Sequence, residues 1–233
     1  MLEAVWTYDS HVLRSEEHAF RAAFESLLPP AQYFYLRLSQ RKGPYFRLDR
    51  IQYDDVPDLA AAARELAGAG MAHQLSVGRV AANSSAAKSL SLHEALAMLS
   101  VSELSVLLKT CHQQKKAFLA ASSAKRSVLV REMEQLAAGE LAEFVAEVTR
   151  GALGPVLLLD SQHLATMGRI QLLFSLSSSQ GLMQSMASEI GAVRYPTYTI
   201  QRRMPSFATR EQLLDYQMAI DAAAKLTDAL EVG

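Results

Sequence analysis

The chain has little sulfur chemistry and no long hydrophobic stretch. Cys111 is the single cysteine among 233 residues, so an internal disulfide is excluded and we expect a reducing compartment. The apolar run 156–159 ends at Asp160, and no basic segment precedes an apolar one at the N-terminus. We therefore expect neither a membrane span nor a signal peptide. No His-x-x-x-His or Cys-x-x-Cys spacing occurs, so we expect no zinc site.

The chain also has no excess of charge of one sign, but its positive charge is concentrated. Its 23 basic and 24 acidic residues give a net charge of −1. Residues 37–50 carry five basic side chains and one acidic one, and residues 100–131 carry six and one. The segments 1–36 and 132–233 are net acidic. This pattern indicates a surface for a polyanionic partner, although a solvated basic surface would have the same composition.

Helix-forming patterns dominate, and the fold class that they predict is mainly α with limited strand. Windows rich in alanine and leucine lie at 60–67, 95–108, 138–148 and 213–230. Nearer the N-terminus, apolar spacing predicts helices over 12–28 and 31–42, which are separated by Pro29-Pro30. A short alternating segment from Phe46 predicts a strand, and Asp55 or Asp58 is a candidate cap for the helix after it. Helices around a short extended segment are typical of a winged-helix-like module.

Residues 100–133 combine two helical patterns with a basic connector. Ser100 and Glu103 have capping-box spacing, and a second helix is predicted from near Ser123, with Lys125 and Arg126 in its first turn. Cations at a helix N-terminus oppose the helix dipole at a cost of about 0.3–1 kcal/mol. A phosphate at that position would bind both side chains and the free backbone N–H groups. The arrangement is therefore unfavourable for stability and favourable for anion binding.

This segment resembles the SAP motif, a DNA-binding helix–loop–helix. The similarity lies in Leu99-Ser-Val-Ser-Glu-Leu104 and in Ser123-Ala-Lys-Arg-x-x-Leu129. Ala124 stands where the motif usually has glycine, and the connector 111–122 is longer than is typical. The alternative is a structural helical hairpin with a solvated basic loop.

A wider resemblance joins this motif to the segments on either side of it. Tyr35-Leu-Arg-Leu-x-x-Arg-Lys-Gly-Pro-Tyr-Phe-Arg47, and then Phe207-x-x-Arg-x-x-Leu-Leu-Asp-Tyr216, are similar to the Fanconi-anaemia-associated nuclease family in its bacterial form. The resemblance implies a mainly α chain with three parts. They are a winged-helix-like N-terminal module (1–77), a linker with a SAP-like unit (78–137) and the start of a TPR-like helical region (138–233). It also implies a cytoplasmic, nucleoid-associated protein.

The family resemblance implies structure-selective DNA binding without catalysis in this chain. Family members cleave 5′-flap DNA in interstrand crosslink repair, using a C-terminal nuclease domain with an acid-x-lysine motif and Mg or Mn ions. None of the seven lysines here has an acidic residue two positions before it. We therefore expect no catalytic residue and no cofactor in this chain. The expected partners are branched or 5′-flap DNA and the missing nuclease domain, on the same or a separate chain.

The candidate DNA-binding residues are basic side chains from both basic blocks and the loop near residue 80, together with one serine. They are Arg41, Lys42, Arg79, Lys109, Lys115, Lys116, Ser123, Lys125, Arg126 and Arg131. Two other functions compete with phosphate binding. A sequence-specific regulator would need base-reading side chains, which helix 58–67 scarcely has. A protein-interaction adaptor built on the acidic C-terminal helices would have no intrinsic DNA affinity.

Overall fold

The structure is a computed structural model that describes residues 1–41, 43–75, 89–114, 125–176 and 205–231. Its helices are α1 (Leu2–Tyr8), α2 (Ser15–Glu25), α3 (Pro29–Ser39), α4 (Leu59–Gly68), α5 (Leu92–Ala97), α6 (Val101–Gln114), α7 (Arg126–Ala137), α8 (Ala142–Leu153), α9 (Ser161–Ser175) and α10 (Arg210–Glu231). Its strands are β1 (Tyr45–Arg47), β2 (Ala72–Leu75) and β3 (Val156–Leu159). The prediction of a mainly α chain with limited strand is confirmed. Within the described ranges, no helix is long and apolar enough to span a membrane.

The chain divides into two compact units. Unit 1 contains Met1–Lys42 and Asp160–Gly233, and unit 2 contains the continuous segment Gly43–Leu159. The three-part division at residues 77 and 137 stays a prediction. The linker that begins the predicted second part lies outside the described residues from residue 78 to residue 88.

Unit 1 is built from α1, α2, α3, α9 and α10. Pro29 and Pro30 end one helical pattern and open α3, because proline suits the first turn of a helix, where its missing N–H has no partner to lose. Phe20 and Tyr35 are buried, with ring centroids 6.0 Å apart. Burial and the nearby carboxylate of Asp160 raise the pKa of Tyr35 far above its usual range. Helix α9 packs against α1, α2 and α10 and so organises this core.

A buried ion cluster joins three helices of unit 1. The Glu17 carboxylate of α2 is 1 % exposed and accepts from Arg169 Nε of α9 at 2.8 Å and from Arg210 Nη1 of α10 at 3.0 Å. It also accepts from the backbone N–H of Arg14 at 2.8 Å. Burial acts to raise the pKa of Glu17, but these charged and backbone donors outweigh it, so its pKa lies below the usual range.

Unit 2 contains a three-stranded antiparallel sheet whose central strand comes last in sequence. Strand β3 lies between β1 and β2, with Phe46 opposite Leu157 and Leu75 opposite Val156. Gly154, at φ 67°, makes the turn from α8 into β3. The short apolar run 156–159 is therefore the strand on which the sheet is assembled.

Helix α4 packs against β2, and helices α5 to α8 form a further part of the unit 2 core. Helix α7 packs against α5, α6 and α8. Leu104 and Leu108 of α6 and Leu129 and Met133 of α7 are buried, and Cys111 is buried with them. Burial raises the pKa of the Cys111 thiol, as expected for a structural cysteine. The predicted helical window 95–108 is two helices, because the chain turns at residues 98–100 between α5 and α6.

Candidate nucleic-acid interface

The helix pair α6–α7 is the part of the structure that carries the candidate phosphate-binding side chains. Its first helix begins as predicted: Ser100 N–H donates to Glu103 Oε2 at 2.8 Å, and Glu103 N–H donates to Ser100 Oγ at 3.2 Å. This reciprocal capping box satisfies backbone donors at the start of α6. The second helix begins at Arg126, and Lys125 is its N-cap without a capping hydrogen bond from its side chain.

Three of the predicted contacts are exposed basic side chains on this pair. They are Lys109 in α6, Lys125 before α7 and Arg131 within α7. Among the residues that the structure describes, none of the three has an ion-pair or hydrogen-bond partner for its side chain. Exposed cations that stabilise nothing in the fold are available to an anionic ligand.

The single acidic residue of the stretch 100–131 is neutralised by arginines from outside it. Glu103 Oε2 accepts from Arg47 Nη1 at 3.1 Å, and Glu103 Oε1 accepts from Arg47 Nη2 at 3.0 Å and from Arg50 Nη2 at 2.5 Å. Hydrogen bonds from Arg47 hold the pKa of Glu103 well below its usual range, against the opposing effect of burial. Within the stretch 100–131 the cations therefore have no competing free carboxylate, and the further acids of α7, Glu132 and Glu134, lie beyond it.

Arg47 itself is a structural residue, although the sequence places it in a basic block. It is 8 % exposed and donates to both carboxylate oxygens of Asp49, to both of Glu103 and to the carbonyl of Ala152 at 3.0 Å. Counting Arg47 and Arg50 as part of a free basic block is therefore wrong for the folded chain, since Asp49 and Glu103 balance their charge.

Strand β1 donates hydrogen bonds to the capping glutamates at the N-termini of both α5 and α6. Ser91 and Glu94 form a capping box at α5, just as Ser100 and Glu103 do at α6. Each capping glutamate takes a second partner from β1, two residues apart: the Tyr45 hydroxyl donates to Glu94 at 2.6 Å, and Arg47 donates to Glu103. The capping glutamates thus fix both helices to the sheet.

These capping carboxylates make the stability of unit 2 sensitive to acid. Hydrogen bonds from Ser91 and then from Tyr45 lower the pKa of Glu94 from 4.5 to about 2. Because the folded-state pKa is depressed, the stabilisation is complete above about pH 4.5 and is lost as the pH falls towards about 2. We expect the free energy of unfolding to be level from pH 7 to 5 and to fall below pH 4.5, as measured by urea titration at each pH.

The variant Glu94→Gln tests the assignment of this acid sensitivity. It should be less stable than the parent chain at pH 7, and the difference between the two should disappear near pH 2. Exposed Glu140 provides the control, since Glu140→Gln should reproduce the parent profile. A constant difference between Glu94→Gln and the parent from pH 7 to 2 would contradict the assignment.

Arg126 lies at the predicted position but has a partner within the fold. Its Nη2 donates to the carbonyl oxygens of Leu96, at 3.5 Å, and Ala97, at the end of α5. Its neighbour Lys125 has no such contact among the described residues. The two adjacent cations, which the sequence predicts to act alike, are therefore in different environments.

The other predicted site residues are in unit 1 or outside the described ranges. Arg41 is exposed and follows α3, and it has an interaction of its own within the fold. The structure does not describe Lys42, Arg79, Lys115, Lys116 or Ser123. Their assignment to a DNA site stays a prediction. The described ranges contain no group of three or more His, Cys, Asp or Glu side chains able to hold a metal ion.

Sequence reasoning missed the residues that support the helix pair. Tyr45, Arg47 and Glu94 make hydrogen bonds within the fold, and through them they position α5 and α6. The sequence contains a signal for these contacts, because the capping-box motif Ser-x-x-Glu occurs at Ser91 and again at Ser100. Each motif marks the start of a helix and places a carboxylate there.

Comparison with known proteins relates almost the whole chain to one family. Residues 1–73 match the family model described as FAN1, HTH domain. The Fanconi-associated nuclease 1 homologs of Arabidopsis thaliana and Oryza sativa subsp. japonica are 27% and 28% identical, each over 99% of this chain. Human Fanconi-associated nuclease 1 is 26% identical over 97% of it. The chain spans about a quarter of the length of these relatives, at 25%, 23% and 23%.

Solved structures show the same fold. The crystal structure of paFAN1 bound to 5′-flap DNA with a 2-nucleotide flap and a gap matches 96% of this chain and 37% of that one, with a TM-score of 0.67 and 21% identity. The complex with a 1-nucleotide flap matches with a TM-score of 0.65. The sequence relatives, the matching HTH domain and the shared fold agree: over almost its whole length the chain is similar to Fanconi-associated nucleases, in the portion that carries the HTH domain.

Proposed function

We propose that this chain binds DNA through phosphate contacts and selects branched or 5′-flap structures, as the recognition portion of a nuclease of interstrand crosslink repair. The observation that carries the proposal is the set of exposed cations Lys109, Lys125 and Arg131, which lack described partners, on the helix pair α6–α7, where Arg47 neutralises Glu103. Phosphate contacts supply affinity and position a protein on DNA without reading its sequence.

The relatives support this proposal at two levels. They are nucleases by name, and the two paFAN1 structures are complexes with 5′-flap DNA. Since this chain spans about a quarter of those relatives, we propose that cleavage belongs to a nuclease domain outside it, on the same or a separate polypeptide. Metal ions would serve that domain. The cytoplasmic, nucleoid-associated location is part of the same proposal.

The test is fluorescence anisotropy with a 5′-flap DNA and a matched linear duplex across a salt series. We expect tighter binding to the flap and a steep salt dependence. The triple variant Lys109→Ala, Lys125→Ala, Arg131→Ala should lower the slope of log K against log salt by about 2.7, because each phosphate contact contributes about 0.9. Between 50 and 200 mM salt that difference amounts to about 40-fold in affinity.

The control variant is Lys225→Ala, which removes an exposed cation from α10. It should leave both the affinity and the salt slope unchanged. An unchanged slope in the triple variant would remove the α6–α7 cations from the site. Equal affinity for the flap and the duplex would leave DNA binding in place and remove structure selectivity.

The adaptor is the second candidate function, and one feature of α10 favours it. Met218, Leu226 and Leu230 are 62%, 63% and 75% exposed, and an exposed apolar patch is typical of a protein-interaction site. An adaptor would bind a protein through this helix and would have no DNA affinity at physiological salt. Absence of binding to both DNAs would therefore favour it.

A further inference from the structure

Two adjacent cations, Lys125 and Arg126, lie at the start of α7, and among the described residues only Arg126 has a side-chain partner. Arg126 is the first residue of the helix, and Lys125 is its N-cap. A cation at this end is unfavourable for α7, because the helix dipole is positive there. The unfavourable placement therefore needs a compensating interaction, either within the fold or with a ligand.

For Arg126 the compensation lies within the fold. Its Nη2 donates to the carbonyl oxygens of Leu96 and Ala97, the last two residues of α5. The last carbonyls of a helix have no intrahelical donors and carry partial negative charge. The guanidinium thus connects the start of one helix to the end of another, across about 30 residues of sequence.

For Lys125 no such compensation exists among the described residues. Its side chain is exposed, makes no capping hydrogen bond and has no described partner. A phosphate at the start of α7 would accept hydrogen bonds both from Lys125 and from the free N–H groups of the first turn. The position of that first turn is set by Arg126, one residue further on.

We propose that Arg126 is a positioning residue of the DNA interface, which fixes the N-terminal turn of α7 against the end of α5 so that Lys125 meets the phosphate. The inference rests on the proposed DNA-binding function and reassigns one of its predicted contacts. Arg126 acts through Lys125 and does not itself neutralise a phosphate. Its loss should weaken binding without changing the number of phosphate contacts.

The salt slope separates the two roles. Lys125→Ala should lower the slope of log K against log salt by about 0.9. Arg126→Ala and Arg126→Met, the second of which keeps the length of the side chain, should raise the Kd by a similar factor at every salt concentration and leave the slope unchanged. A slope that falls by about 0.9 in both Arg126 variants would make Arg126 a phosphate contact and overturn the proposal.

Amide hydrogen exchange tests the same contact without DNA. The amides of the first turn of α7 should exchange faster in both Arg126 variants than in the parent chain, and at the parent rate in Lys125→Ala. Parent-like exchange in the Arg126 variants would also overturn the proposal. If the parent chain binds no DNA, the proposed function fails on the anisotropy measurement, while exchange still shows whether Arg126 fixes α7.

Discussion

Replacing Arg47 by alanine is expected to lower the free energy of unfolding by about 3–5 kcal/mol, the range for removing one partner of a buried ion pair. The side chain is 8 % exposed and makes five hydrogen bonds, to Asp49, Glu103 and the carbonyl of Ala152. Its removal leaves Glu103 with one ion-pair partner, the exposed Arg50, and leaves the Ala152 carbonyl without this donor. Urea unfolding followed by far-UV circular dichroism measures the loss.

Arg50 provides a matched control for this prediction. It pairs with the same two carboxylates, but its side chain is 61% exposed. Exposed ion pairs contribute at most about 1 kcal/mol, so Arg50→Ala should cost less than that. Equal losses in Arg47→Ala and Arg50→Ala would show that burial does not decide the effect.

The variant Glu103→Gln separates the two roles of that residue. Glutamine at the third helical position still completes a capping box with Ser100, but it carries no charge for Arg47. If capping were the only contribution of Glu103 to stability, Glu103→Gln would have the same free energy of unfolding as the parent chain. We expect instead a loss close to that of Arg47→Ala, and a double variant less destabilised than the sum of the two single ones.

The second large effect is expected at Glu17, where alanine should cost about 3 kcal/mol, the lower end of the range for breaking a buried ion pair. The carboxylate is 1 % exposed and accepts from Arg169 and Arg210. Both arginines keep Glu16 as a partner, which holds the loss at the lower end. Three helices of unit 1 lose their shared contact.

The single tryptophan reports on this loss. Trp6 lies in unit 1 and donates its indole N–H to His18 Nδ1 at 3.2 Å. Its fluorescence in urea should give a lower midpoint for Glu17→Ala than for the parent chain. Glu25→Ala breaks only an exposed pair with Arg21 and should change stability by less than about 0.5 kcal/mol. A parent-like midpoint for Glu17→Ala would contradict a structural role for the cluster.

Local features were predictable from the sequence, because the interactions that produce them are local. Asp58 caps α4 by accepting from Ala61 N–H at 2.8 Å, and Ser100 with Glu103 opens α6. Apolar spacing predicted the helices near the N-terminus, and composition identified the mainly α class. Each of these signals depends on residues three or four positions apart.

Long-range features were not predictable in this way. The run 156–159 is apolar without alternation, as is typical of a strand with both faces covered. No neighbouring residue in the sequence indicates that β1 and β2 pair with this strand. Arg47 and Glu103 are 56 residues apart, and no periodicity relates them. For the same reason the sequence assigned one role to Lys125 and Arg126, since the carbonyls that Arg126 binds lie in another helix.

The buried cluster at Glu17 also constrains the order in which the parts of the newly made chain can fold. Arg169 and Arg210 follow Glu17 by 152 and 193 residues. At about 5–20 residues per second, a ribosome takes roughly 10–40 s to add Arg210 after Glu17. During that time α2 has a carboxylate that it cannot yet bury against its partners, and the whole of unit 2 is synthesised before Arg210 is added. Unit 2 can therefore fold first, and the N-terminal helices complete their core only when the C-terminal ones emerge.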